Sequence, residues 1–397
     1  MLLNTVTAAL ACLSLPVVGA HATGLKSRRD CKQLSLPELA MREILSQGSP
    51  VFGHYQSVKS NTSEWMKAHP DSTLLVHMNI PGAHDAQTWN YSQATREQLL
   101  HINEIGGKIP RSSDTYRCQE RSVVDMLNAG VRAFDLRYAF DVTNSVLVFW
   151  HGPALVSQTA TLADTMFGFY KWLDDHPSEA LLLSFQYEGG TTKYAANDAT
   201  VQRALYDILT SRAAKKYILQ TKDSFGTLGE ARGKITLIRR FTMDRLDASY
   251  EASLPGVHFS PSDWTDNGQD ITLVYNREKN GTAHIEDYYE PEAPKDSTPS
   301  YNIGLKYNAT TANILRATSD AFPNDLFWSF ASSRNIDMDP PLTPRIMALG
   351  NGTVTPSGGV NQQLLPFLQG LKGKRVGIVM VDFENAPGNL IDTILSL

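Results

Sequence analysis

The sequence predicts an α/β protein built on a closed or nearly closed barrel with loop insertions. Two observations carry this. From residue 74 onward, strand-length apolar runs recur with helical stretches between them, the pattern of repeated βα units. With 42% hydrophobic and 19% charged residues over 397 positions, the chain can bury a large core. That length fits two or three ordinary domains or one barrel with insertions.

Taken in order, residues 1–22 read as a secretory signal. An apolar stretch through Val18 is followed by Ala20-His21-Ala22, an A-x-A cleavage pattern, and Pro16 interrupts a run already too short to span a bilayer. The protein is therefore expected to be secreted and extracellular. Cleavage removes Cys12 and leaves Cys31 and Cys118, which permit one disulfide between the N-terminal extension and the loop before Val123. Sequons at Asn61, Asn90, Asn280, Asn308 and Asn351 agree with a secretory route and predict glycosylation. Residues 23–70 show no clear period and read as a wrapping extension; 71–397 form the barrel.

The predicted strands are Leu74–Ile80, Val131–Arg137, Val146–Trp150, Ala180–Phe185, Ile235–Phe241, Leu326–Ala331 and Val376–Asp382, with an eighth near Ile271–Tyr275. Thr161 and Asp164 form a capping pair for a helix whose stripe of Leu162, Met166, Phe169, Tyr170 and Leu173 faces the sheet and ends at Pro177. A second helix, Val123–Ala129, stops at Gly130. Polar stretches at 86–120 and 250–300 are the expected insertions. A net charge of -5 without a basic arm gives no reason to expect nucleic acid.

His84, Arg137, His151 and Asp382 all fall at or just past predicted strand ends, which converge on one face in an α/β barrel. Asp135 and Arg137 are two apart on one strand and so share a side. Two histidines and an arginine, with no thiolate or carboxylate cage, suit proton transfer around a phosphodiester. One imidazole takes a proton from an attacking hydroxyl and the other gives one to the leaving oxygen. The arginine meets the charge that develops between them.

At these residues the chain resembles the phosphatidylinositol-specific phospholipase C X-domain family, and more closely its bacterial, metal-independent branch. The resemblance covers about 75 to 390. It rests on Ile80-Pro81-Gly82-Ala83-His84-Asp85 (Ala83 replacing the usual threonine), Phe134–Arg137, His151-Gly152-Pro153, Gly233–Phe241 and Met380-Val381-Asp382-Phe383, in that order. It implies an incomplete (βα)8 TIM barrel and attack of the inositol 2-hydroxyl on phosphorus. The products would be diacylglycerol and inositol 1,2-cyclic phosphate, which water then opens more slowly. His84 would be the general base, oriented by Asp382; His151, paired with Asp85, the general acid. Arg137, fixed by Asp135, would hold the phosphate oxygens.

The resemblance also implies substrate contacts at Arg240, Asp287 and Tyr289. The lysine expected after the fourth strand is missing, Ser184 being followed by Phe185-Gln186-Tyr187. In the calcium-dependent branch an acidic residue stands where Arg137 does, so no metal and no cofactor is expected; the alternative is calcium on Asp85 and Asp135. The partners expected are an inositol phospholipid and the membrane surface that holds it, met by a monomer through Trp89, Tyr91 and Trp264, with Tyr288 and Tyr289. A related phosphodiesterase acting on another lipid or a glycerophosphodiester, a barrel glycosidase, and a non-catalytic inositol-lipid binder are the competing readings. The last would need no base and acid beside a phosphate.

Overall fold

The computed structural model describes residues 34–397. The signal segment and Cys31 lie outside them. The strands are β1 Ile80–Ala83, β2 Ala133–Phe140, β3 Leu147–His151, β4 Ala154–Leu155, β5 Leu181–Tyr187, β6 Ile235–Arg240, β7 Val257–His258, β8 Ile271–Asn276, β9 Gly281–Glu286, β10 Leu326–Phe330 and β11 Ile378–Val381. Parallel pairing joins β7-β6-β5-β2-β1-β11-β10-β9 in that order. Among the described residues no strand pairing links β7 to β9. Instead β8 lies antiparallel on β9 and fills the opening, where Tyr275 packs 5.7 Å from Phe259 and Asn276 donates to the Asp223 carbonyl at 2.8 Å. The barrel is incomplete at this one seam.

Three expectations are corrected. The first strand is not Leu74–Ile80: Leu75–His77 is a 3-10 turn, and the strand is Ile80–Ala83. Pro81 cannot donate to a ladder and so reads as a stop, but here only its carbonyl is used, accepting from the Arg132 N–H at 3.0 Å. The run Val146–Trp150 is not a barrel strand. It forms β3, which returns antiparallel along the part of β2 that overshoots the barrel mouth. Ile271–Tyr275 is antiparallel as well, and the barrel strands beside the seam, β7 and β9, lie inside the stretch read as an insertion.

The extension, read as aperiodic, contains a 17-residue helix, Leu36–Phe52, started by a Ser35/Glu38 capping box. It packs on the helix Leu162–Asp175 at Gly168, where a Cβ would stand 2.6 Å from the Phe52 ring. The stripe predicted on that second helix is buried throughout. Farther along, Arg132 grips the extension from below. Its guanidinium donates to Glu179 at 2.7 Å and to the Ser63 carbonyl at 2.9 Å, and lies 4.8 Å over Trp172.

Alternation along the strands sorts the core into two shells. Ile80, Ala133, Leu182, Ile238, Ile285, Trp328 and Met380 fill the barrel interior. Phe134, Leu136, Leu181, Leu183, Phe185 and Leu237 face the helices, as do Val379 and Val381. Stepping two or four residues onward from the interior set, with parity kept, reaches the barrel mouth. There His84, Arg137, Gln186, Arg240, Asp287 and Asp382 occupy the inward positions. An apolar plug thus carries a polar layer at the C-terminal ends of the strands.

Candidate active site

These inward residues line a cavity of about 520 Å³, together with His151, Cys118, Trp264, Tyr289 and Arg334. His151 arrives by another route. The β3–β4 hairpin reverses through Gly152-Pro153, with Gly152 at φ 54, and points His151 back at the mouth. Glu188 holds this turn by accepting the Gly152 N–H at 2.7 Å. The two imidazole centroids are 6.4 Å apart, a gap that a phosphate group can bridge.

His84 Nδ1 lies 2.8 Å from Asp382 Oδ1, and its Nε2 lies 2.9 Å from Arg137 Nη2. A guanidinium can only donate, so this contact requires an unprotonated Nε2 and places the ring proton on Nδ1, facing Asp382. Burial opposes charging this ring, but the carboxylates of Asp85 and Asp382 outweigh it and raise the His84 pKa above its ordinary value. The result is a strengthened base whose Nε2 lone pair is occupied by Arg137. Asp382 is itself raised by burial.

His151 differs. Its Nδ1 donates to the Tyr116 carbonyl at 2.8 Å and lies 3.3 Å from Asp85 Oδ2. Burial, reinforced by Arg137 and Arg334, lowers its pKa to about 4 against the pull of Asp85. Once protonated it is a strong acid. Asp85, in a left-handed conformation at φ 41, sits between both rings and Arg137 Nε, which is 2.9 Å from its Oδ1. Burial works against its charge, but Arg137 and the two histidines hold its carboxyl well below the usual range.

Arg137 also meets Asp135 Oδ2 at 3.3 Å and Glu188 at 3.8 Å. Its guanidinium stands between Asp85 and Asp135, the two carboxylates that the calcium alternative requires, and supplies the positive charge there. Across the cavity, Arg240 lies 3.5 Å from both Asp135 and Asp287, with its guanidinium 3.7 Å over the Trp264 ring. Trp264 Nε1 donates to Asp287 at 2.9 Å, and Tyr289 closes the same side with its hydroxyl on Asp266. The structure thus gathers His84, Asp85, Asp135, Arg137, His151, Asp382, Arg240, Asp287 and Tyr289 around one cavity.

Sequence reading missed several supports. Gln119 donates to both the His84 and Val381 carbonyls at 2.8 Å, clasping β1 to β11 beneath the site. Glu188 was within reach, being the next inward step along β5 after Gln186. The Tyr116 carbonyl, a backbone group, leaves no trace in a sequence. Cys118 is buried, with Sγ 4.0 Å from His151 Nδ1.

The aromatic residues expected to touch a membrane are engaged elsewhere. Tyr91 is fully buried against Tyr116. Trp89 gives its indole N–H to the Val51 carbonyl at 2.7 Å, against the N-terminal helix, and Tyr288 is buried. Trp264 is a cavity wall beneath Arg240. Amphipathic rings suit a membrane interface, but they suit a packed loop equally.

The family model for phosphatidylinositol-specific phospholipase C, X domain, matches residues 112–241, the stretch holding Asp135, Arg137, His151 and Arg240. Over that stretch the chain is similar to the X-domain family. A 1-phosphatidylinositol phosphodiesterase of Staphylococcus aureus (strain Newman) is 23% identical over 288 residues, covering 70% of this chain and 83% of the relative. One from Listeria monocytogenes is 27% identical over 179 residues, 45% of this chain and 48% of its own. Mouse PI-PLC X domain-containing protein 1 is 32% identical over 130 residues, 30% and 36% of the two chains. Among solved structures, an S. aureus phosphatidylinositol-specific phospholipase C superposes with a TM-score of 0.61 at 18% identity, covering 84% of this chain and 97% of that one. The Listeria enzyme gives 0.57 at 20%, with the same coverage. These likenesses establish the barrel.

Proposed function

We propose that this protein cleaves phosphatidylinositol without a metal ion, by attack of the inositol 2-hydroxyl on the neighbouring phosphorus. The observation that carries this reading is the pair of differently poised histidines on either side of a guanidinium. His84 Nε2 takes the hydroxyl proton while Asp382 steadies the imidazolium that forms. Arg137 frees that lone pair beforehand, transferring its hydrogen bond from His84 to the phosphate oxygens as the substrate binds and stabilising the charge that builds there. Protonated His151 gives its Nε2 proton to the departing diacylglycerol oxygen. The cyclic phosphate is opened by water with the two roles exchanged. Arg240 and Asp287 present a donor and an acceptor to the inositol hydroxyls, and Tyr289 offers a ring face.

In this reading the protein is a secreted glycoprotein that meets its lipid at a membrane surface. All five sequon asparagines are exposed, which supports glycosylation. No helix among the described residues is long and apolar enough to cross a membrane. Two loops at the mouth supply the contact that Trp89, Tyr91 and Trp264 do not. Ile105 and Ile109, 65% and 61% exposed, follow β1, while Tyr194, 69% exposed, follows β5. The loops are joined by the Lys193 N–H on the Gly106 carbonyl at 2.7 Å, and Lys108 and Lys193 flank them with positive charge.

The assignment of acid and base is tested with an inositol phosphodiester bearing nitrophenol, a leaving group that needs no proton. His151→Ala should recover most of its lost activity on this substrate, and His84→Ala should not. Recovery by neither variant, or by His84→Ala alone, would overturn the roles.

A further inference from the structure

Three arginines line the cavity. Arg137 and Arg240 are each held by two or more carboxylates. Arg334 is different. Its backbone N–H is fixed on the Tyr289 carbonyl at 2.8 Å, but among the described residues its guanidinium has neither an ion pair nor a side-chain hydrogen bond. The preceding residue, Ser333, also lines the cavity, is 5% exposed, and has a buried Oγ without a hydrogen-bond partner. A buried hydroxyl without a partner costs free energy unless something fills its place. Beside a free cation, that something is an anionic oxygen.

We propose that Arg334 and Ser333 form the second half of a phosphate clamp, gripping the phosphodiester from the side opposite Arg137, next to the leaving group. This inference rests on the reaction proposed above and adds a substrate-binding subsite to it. Arg334 follows β10 and is tied to Tyr289, so the clamp stands between the sugar-facing wall and His151. The arginine acts on His151 through space as well. The charged and titratable groups around that imidazole are Asp85, Arg137, Arg334 and His84, with Cys118 and the Tyr116 ring alongside and Glu188 on the adjoining Gly152 N–H; Arg334 is one of the cations that disfavour its protonation. An anionic phosphate seated on Arg334 cancels that repulsion, so substrate binding itself helps to protonate the acid.

The test compares Arg334→Gln and Arg334→Lys on phosphatidylinositol in detergent micelles, with myo-inositol 1-phosphate and neutral myo-inositol as inhibitors. Arg334→Gln should lower kcat/KM about ten- to a hundredfold, the scale of one charge-assisted hydrogen bond. It should weaken inhibition by inositol 1-phosphate but not by inositol, and move the acid limb of kcat/KM to higher pH. Arg334→Lys should keep that limb in place while losing part of the rate, since the fork is gone and the charge remains. Ser333→Ala should weaken inositol 1-phosphate binding severalfold. An unmoved acid limb together with unchanged inositol 1-phosphate inhibition in Arg334→Gln would overturn the clamp, even if the rate fell. A wild-type protein that makes no cyclic phosphate would instead overturn the parent reading.

Discussion

At the scale of the residue, the site works by giving two chemically identical imidazoles different surroundings. Asp382 and Asp85 make His84 the stronger base, whereas burial and two arginines make His151 the stronger acid. His84→Ala and His151→Ala should each reduce turnover of phosphatidylinositol at least ~100-fold, the lower range for a positioned proton-transfer group. Their unfolding transitions should be little changed, because both side chains sit at the cavity rather than in the core. The pH profile follows from the same surroundings. The proposed reaction needs one proton shared by the pair, on His151 and off His84. Below about pH 4, where His151 of the free protein takes a second proton, His84 is blocked. Above the raised pKa of His84 the last proton leaves and no acid remains. A plot of kcat/KM should therefore be a broad bell with its acid limb near 4. The acid limb of kcat should lie higher, because bound phosphate favours both imidazolium forms.

At the scale of the element, the strands were legible where the two-residue alternation continues into chemistry. Asp135 and Arg137 sit on β2 with the same inward parity as Ala133, and Arg240 repeats this on β6 beyond Ile238. Legibility failed where local sequence and tertiary demand diverge. Pro81 hides β1, and a two-residue β7 has too little sequence to read. The strand β9 begins within Asn280-Gly281, a hairpin signal set in a polar stretch that reads as a loop. Nothing local distinguishes β3, an antiparallel return, from a barrel strand, yet its reversal is what brings His151 opposite His84. Support from below is equally non-local. Glu179→Ala should leave the Arg132 charge buried and alone, costing about 3–5 kcal/mol in urea unfolding. It should also loosen the extension, since Arg132 holds the Thr62 and Ser63 carbonyls. Protease nicking near residues 60–65 in the folded variant would report this; a variant as stable and as resistant as wild type would show that the pair is not the anchor.

At the scale of the whole molecule, a barrel open at one seam carries a polar cavity ringed by loops, which the proposed reaction turns toward a lipid surface. If Ile105, Ile109 and Tyr194 enter that surface, Ile109→Ser combined with Tyr194→Ser should slow cleavage in vesicles much more than hydrolysis of soluble inositol cyclic phosphate. Equal losses on the two substrates would assign these side chains to the fold instead. The central claim is that the Arg137 guanidinium, between Asp85 and Asp135, supplies the positive charge that a calcium ion would otherwise bring there. Its most direct test is to incubate the purified protein with phosphatidylinositol in excess chelator and follow phosphorus by NMR. Inositol 1,2-cyclic phosphate should appear at the same rate with and without added calcium, and Arg137→Ala should abolish it. Activity lost in chelator and restored by calcium would contradict the account.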